Sequence, residues 1–183
     1  MAVVLMHDEN KLLERLKSFV LAGESHRQHA HPPVTESDVI HAEAIIGFAL
    51  PPLLKRIYLE VGNGGFGPGY GLLPLNNEED PEALHTDSLV TIYLATHTAT
   101  KEQMEAYRRG DAHAPPLLPE KLFMLCDWGC NIYSWLDCSQ AALPVLKSEA
   151  TLDWRQFVLE APSLQTWLKV WLDSTQHSVE EKP

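Results

Sequence analysis

The sequence predicts a single α+β domain. Amphipathic helical spacing recurs in the first third of the chain and again at its end. Between them, "KLFMLCDWGCNIYSWLDC" alternates apolar and polar residues around "DWGCN", the pattern of two antiparallel strands joined by a turn. With 183 residues, 45% of them hydrophobic, the chain suits one core rather than two.

The first helix is expected over residues 10–22, where Leu12, Leu13, Leu16, Phe19 and Val20 fall on one face and Gly23 can end the turn. The polar piece that follows contains His26, His29 and His31 and breaks at Pro32-Pro33, so it reads as a loop. Thr35, with Asp38 three residues on, resembles a capping box for a second helix that buries Val39, Ile40, Ile45 and Ile46 and stops at Gly47. Pro51 and Pro52 are acceptable in the first turn of a third helix whose apolar face is Leu53, Leu54, Ile57, Tyr58 and Val61. Gly62 is placed to cap it in the left-handed region.

"YGLLPL" is short, apolar and bounded by Gly and Pro, which suits a strand, and "NNEEDPEA" is an acidic loop. Residues 87–109 have a β-branched first half and admit either a helix or a strand followed by a helix. After a Pro-rich connector and the alternating pair, "LPVLKS" and "DWRQFVLEA" supply a third and a fourth strand. Leu164, Trp167, Leu168, Trp171 and Leu172, at i, i+3, i+4, i+7 and i+8, make a closing helix that buries two tryptophans; residues 175–183 are expected to be a flexible tail.

Lys and Arg number 14 against 25 Asp and Glu, a net charge of −11 that repels nucleic acid and favours a basic partner. No run is apolar and long enough to cross a bilayer, and the opening "MAVVLMHDENKLLERLK" is interrupted by acids too early for a signal peptide. The expectation is a cytoplasmic protein with no membrane contact. Three cysteines, Cys126, Cys130 and Cys138, form no disulfide framework, and no complete metal-ligand set accompanies them.

Gly62, Gly64 and Gly67 spell G-x-G-x-x-G, the form of a dinucleotide fingerprint. That fingerprint needs a strand before the glycines and a helix after them, so that helix N–H groups meet the phosphate. Here a helix enters and a strand-like segment leaves. The glycines are therefore expected to form a helix-to-strand corner, and no cofactor is expected.

The same corner resembles a known family signature. Glu43, Gly47, Leu50, Pro51, Lys55, Tyr58, Asn63, Gly64 and Gly65 are similar to the pattern E-x-x-x-G-x-x-L-P-x-x-x-K-x-x-Y/F ending in N-G-G of the SMI/KNR-like domain of the SUKH superfamily. "EKLFMLCDWGCNIYSWLDC" resembles that family's central strand pair and "PSLQTWLKVWL" its closing helix. The resemblance implies a twisted, mainly antiparallel sheet packed by helices over residues 35–174; residues 1–34, outside its distinctive part, are expected to be a helix and linker packed on or flanking that domain. It also implies a non-enzymatic protein-binding role, either as an immunity protein that neutralises a toxin of nuclease or deaminase type or as a housekeeping interaction module, and no catalytic residue.

The residues themselves offer a candidate partner surface in Glu78, Glu79, Asp80 and Glu82, an acidic loop, with Trp128 as an aromatic anchor at a turn. A hydrolase is the opposing reading. It finds no G-x-S-x-G and no H-E-x-x-H, and His85, His97 and His113 sit at unrelated spacings.

Overall fold

A computed structural model describes residues 2–22, 30–76, 88–98, 105–106, 109, 118–150 and 153–180. Helix α1, Ala2–Ala22, begins well before the amphipathic stretch that predicts it. Its apolar face meets the main core through Leu12, Leu13 and Leu16, all buried. Two polar ties and one aromatic contact fasten it elsewhere: Arg56 Nη1 donates to Asn10 Oδ1 at 2.9 Å, Arg15 pairs with Asp173 at 2.6 Å, and Phe19 meets Trp171 edge-on at 4.7 Å between ring centroids.

Helix α2, Glu36–Ile46, starts with the expected capping box. The Asp38 amide donates to Thr35 Oγ1 at 3.3 Å, and the Thr35 amide donates to Asp38 Oδ2 at 2.8 Å. Two of the orphan amides of the first turn are thereby satisfied. Gly47 ends the helix at φ 85°, its N–H on the Glu43 carbonyl. Ile40 and Ile45, expected inside, are instead exposed, because Val39, Ala42 and Ile46 define the buried stripe.

Helix α3, Pro52–Glu60, follows Pro51 as N-cap. Its end departs from expectation. The C-cap is Val61, and Gly62 is not in the left-handed region. A glycine is required there by close approach: a Cβ would lie 2.7 Å from the His31 carbonyl oxygen and 3.2 Å from Phe66 Cε1. Residues 87–109, open between helix and strand, supply helix α4, Leu89–His97, opened by a capping box between Ser88 and Thr91. Burial of Leu89, Val90 and Tyr93 at helical spacing decides the matter over β-branched propensity.

The sheet runs β1 Leu122–Gly129, β2 Ile132–Asp137, β3 Val145–Glu149 and β4 Val158–Ala161, in that spatial order and antiparallel throughout. Cys130 and Asn131, at φ 53° and 61°, join β1 to β2 in a two-residue turn of the mirror-image kind that matches strand twist. One sheet face lies on the helices through Phe123, Leu125, Leu136, Val145 and Ala161. The other carries Leu122, Met124 and fully buried Trp135, which Phe157 covers at 5.3 Å between ring centroids.

Two expected strands are shorter than the sequence suggests. In "YGLLPL" only Leu72 bridges to Cys126, followed by Leu73 N–H on the Leu125 carbonyl; Pro74 has no N–H to continue the ladder. In "DWRQFVLEA" the Asp153 side chain accepts the Arg155 amide and turns Trp154–Gln156 into a 3-10 helix before β4 begins. Helix α5, Leu164–Glu180, buries Leu164, Trp167, Leu168 and Leu172, and Ser163 Oγ accepts the Thr166 amide at 3.1 Å. It runs to Glu180, through most of the stretch expected as a flexible tail.

Candidate functional site

The glycine corner is a knot of hydrogen bonds centred on Asn63. Its backbone N–H is shared between the carbonyls of His31 and Pro32, its Oδ1 accepts the Leu75 amide at 2.7 Å, and its Nδ2 donates to the Asn76 carbonyl at 3.2 Å. One side chain thus fastens both the incoming loop and the outgoing segment. Tyr58, fully buried, donates from Oη to the Leu73 carbonyl at 2.8 Å, and burial pushes its phenol above the ordinary range.

Glu43 does the corresponding work at the α2–α3 connection. Its Oε1 accepts the Leu50 amide at 2.8 Å and lies 2.8 Å from Lys55 Nζ. The residues that carry the sequence signature are therefore those that hold this connection and this corner in place. The acid and the lysine of the signature, Glu43 and Lys55, are paired with each other.

The corner has an outward product. It delivers Tyr70 to the end of the sheet, where the Tyr70 amide donates to the Asp127 carbonyl at 2.8 Å and its ring lies over Gly129 so closely that a Cβ there would be 2.8 Å from Tyr70 Oη. Trp128 stands beside it, 38% exposed, with Tyr70 at 71%. Trp128 is held rigidly. Its Nε1 donates to Ser134 Oγ at 2.8 Å, Ser134 Oγ donates to Glu160 Oε2 at 2.6 Å, and Lys147 Nζ sits 5.5 Å from the ring centroid. Four elements converge on one exposed indole: β1, β2, β3 and β4.

The residues expected at a partner surface fare differently. Trp128 sits at the hairpin end, as its place in "DWGCN" implies. Glu78, Glu79, Asp80 and Glu82 lie outside the described residues, as do His26, His29, His85 and His113. Tyr70, Lys147 and Glu160 were not singled out by sequence reasoning. Tyr70 had a signal: a bulky aromatic between Gly69 and Gly71 has few neighbours along the chain to bury it.

The cysteines do not come together. Cys126 is buried, with burial pushing its thiol up to about 12, while Cys130 is exposed at the hairpin turn. Cys138 lines an open cleft of about 710 Å³ between the α2–α3 connection and the β2–β3 turn, with Leu50, Pro51, Lys55, Lys121 and Gln140. Burial pushes its thiol up to about 12 as well, so it is not a thiolate nucleophile at neutral pH. Lys55 in the same cleft is already committed to Glu43. Among the described residues no three His, Cys, Asp or Glu side chains are grouped to hold a metal ion, and no helix is long and apolar enough to cross a membrane.

Two comparisons bear on this architecture. The family model described as SMI1 / KNR4 family (SUKH-1) matches residues 33–169, well over half of the chain. No curated protein matches it.

Proposed function

Because the chain belongs to the SMI1 / KNR4 family (SUKH-1), we propose that it is a non-enzymatic protein-binding domain that acts in the cytoplasm as an immunity protein, neutralising a toxin of nuclease or deaminase type. The observation that carries the reading is the exposed aromatic pair Tyr70 and Trp128, fixed by backbone and side-chain hydrogen bonds at the end of the sheet. Aromatic side chains that are already rigid lose little rotamer freedom on binding and are enriched among residues that dominate interface energy.

Charge supplies the second half of the mechanism. A toxin that handles nucleic acid presents a basic surface, and a chain of net charge −11 attracts it from a distance. Glu78, Glu79, Asp80 and Glu82 form the densest acidic run in the sequence and are the residues assigned to this steering. The inhibitor then works by occupying the surface that would hold nucleic acid, with Trp128 and Tyr70 as anchors.

The test is co-expression with any toxin domain encoded beside this chain, followed by a binding titration. Rescue of growth by the wild type, with at least about a tenfold loss of affinity for Trp128→Ala, supports the reading. Failure of the wild type both to bind and to protect would remove it.

A further inference from the structure

We infer that β4 is an acceptor edge, onto which the partner adds an extended, basic-flanked segment as a fifth strand. The inference rests on the protein-binding reading above and adds where and in what conformation the partner is held. β4 closes the strand order on one side, hydrogen-bonded only to β3 among the described residues, whereas the β1 side is occupied by the Leu72 bridge and the Leu73 and Tyr70 amides. The two edges are treated oppositely by the fold.

The open edge is short and bulged at Glu160, but it carries no lysine or proline. Exposed edge strands are ordinarily blunted by lysine or proline on the strand itself, yet Val158–Ala161 carries Val158 at 58% exposure and Leu159 at 64%, with Trp154 half-exposed just before it. Its one charged residue, Glu160, points back to accept a hydrogen bond from Ser134. The free backbone groups of such an edge select a strand over a helix, because a helix has spent its own N–H and C=O groups internally.

The edge is continuous with the aromatic pair. Val158 is paired with Lys147, whose ammonium lies over Trp128, and Glu160 reaches Trp128 through Ser134. A strand laid on β4 therefore adjoins the anchors already assigned. Charge selects the occupant: a second copy would bring another chain of −11 against the first, while a segment flanked by Lys or Arg is attracted.

The experiment selects a phage-displayed library of random 12-residue peptides on the wild type and on Leu159→Lys and Val158→Lys, substitutions at exposed positions that leave the core untouched. Expected are enriched peptides with alternating β-branched or aromatic residues and Lys or Arg at their ends, recovered about tenfold less well on either variant. Equal recovery on wild type and both variants overturns the edge while leaving the protein-binding reading intact. Enrichment of acidic or helix-patterned peptides, or no enrichment at all, also overturns it. Light scattering of the wild type gives the remaining outcome: a dimer that Leu159→Lys dissociates would assign the edge to a second copy.

Discussion

The Leu75 amide donates to Asn63 Oδ1 at 2.7 Å, a contact between residues twelve apart that closes the glycine corner from inside. Because the Asn63 amide group simultaneously donates to Asn76, both ends of the side chain are used. Asn63→Ala should cost about 2 to 3 kcal/mol in urea unfolding, since it leaves the Leu75 amide without its acceptor in a buried setting. Asn63→Asp keeps that acceptor but turns an oxygen toward the Asn76 carbonyl, so it should also destabilise, and less so as the pH is lowered and the carboxyl protonates. An unchanged midpoint for both variants would contradict the role given to this residue.

Gly64 and Gly47 both have positive φ, at 75° and 85°, but their surroundings differ. A Cβ on Gly64 would meet the Leu72 carbonyl oxygen at 2.5 Å, whereas nothing lies within 4 Å of one on Gly47. Gly47→Ala should then cost about 1 to 2 kcal/mol from backbone strain alone. Gly64→Ala should cost more than Gly47→Ala, because the strain is joined by a clash with backbone. Thermal unfolding of the two variants side by side checks the order; equal losses would show that the corner relaxes freely.

Glu43→Gln tests the α2–α3 connection. The amide can still accept the Leu50 N–H but no longer carries charge toward Lys55, so the loss should be about 1 kcal/mol, as for other partly exposed pairs. Glu43→Ala removes both partners and should lose about 2 kcal/mol or more. Denaturant midpoints for the pair separate the hydrogen bond from the charge.

The capping box makes stability depend on acid. The Asp38 carboxylate is held below the usual range, first by the Thr35 backbone N–H and then by the Thr35 hydroxyl. A group whose folded pKa is depressed adds stability that is present above its unfolded pKa and is lost as pH falls through the folded value. The contribution of Asp38 should therefore be intact at pH 6 and decline from about pH 4 downward. In Asp38→Asn the acid-induced loss should be smaller than in wild type; identical pH profiles would remove the box from the account.

Thiol reactivity distinguishes the three cysteines. Cys130 is exposed, whereas burial raises the thiols of Cys126 and Cys138. One thiol should react quickly with a maleimide in the native protein, and Cys130→Ser should abolish that fast phase. Rapid labelling of all three would mean that the packing around β1 and β2 opens readily.

Much of this fold is legible because its signals are local. Thr35 and Asp38 cap a helix through contacts three residues apart, and Leu164, Trp167, Leu168 and Leu172 announce a buried stripe by spacing alone, with Trp171 half-buried at its edge. The turn at Cys130-Asn131 follows from alternation on either side of it. Where the reading misses, a distant neighbour decides. Gly62 is glycine because the carbonyl of His31, 31 residues earlier, fills the space a Cβ would take, and the β-branched start of α4 becomes helix because Leu89, Val90 and Tyr93 are buried at helical spacing.

The sequence by itself determined the α+β class, both caps of α2 and the family signature, since each depends on order along the chain and on short-range sterics. Only the tertiary structure decided what the signature residues do and where a partner could be held. Asn63, Tyr58 and Glu43 act on backbone groups brought to them by folding, and Tyr70, Trp128, Lys147 and Val158 come from segments up to 88 residues apart that become one surface when the sheet assembles. A contact across such separations leaves no periodicity to read, because its geometry is set by packing and not by the spacing of residues.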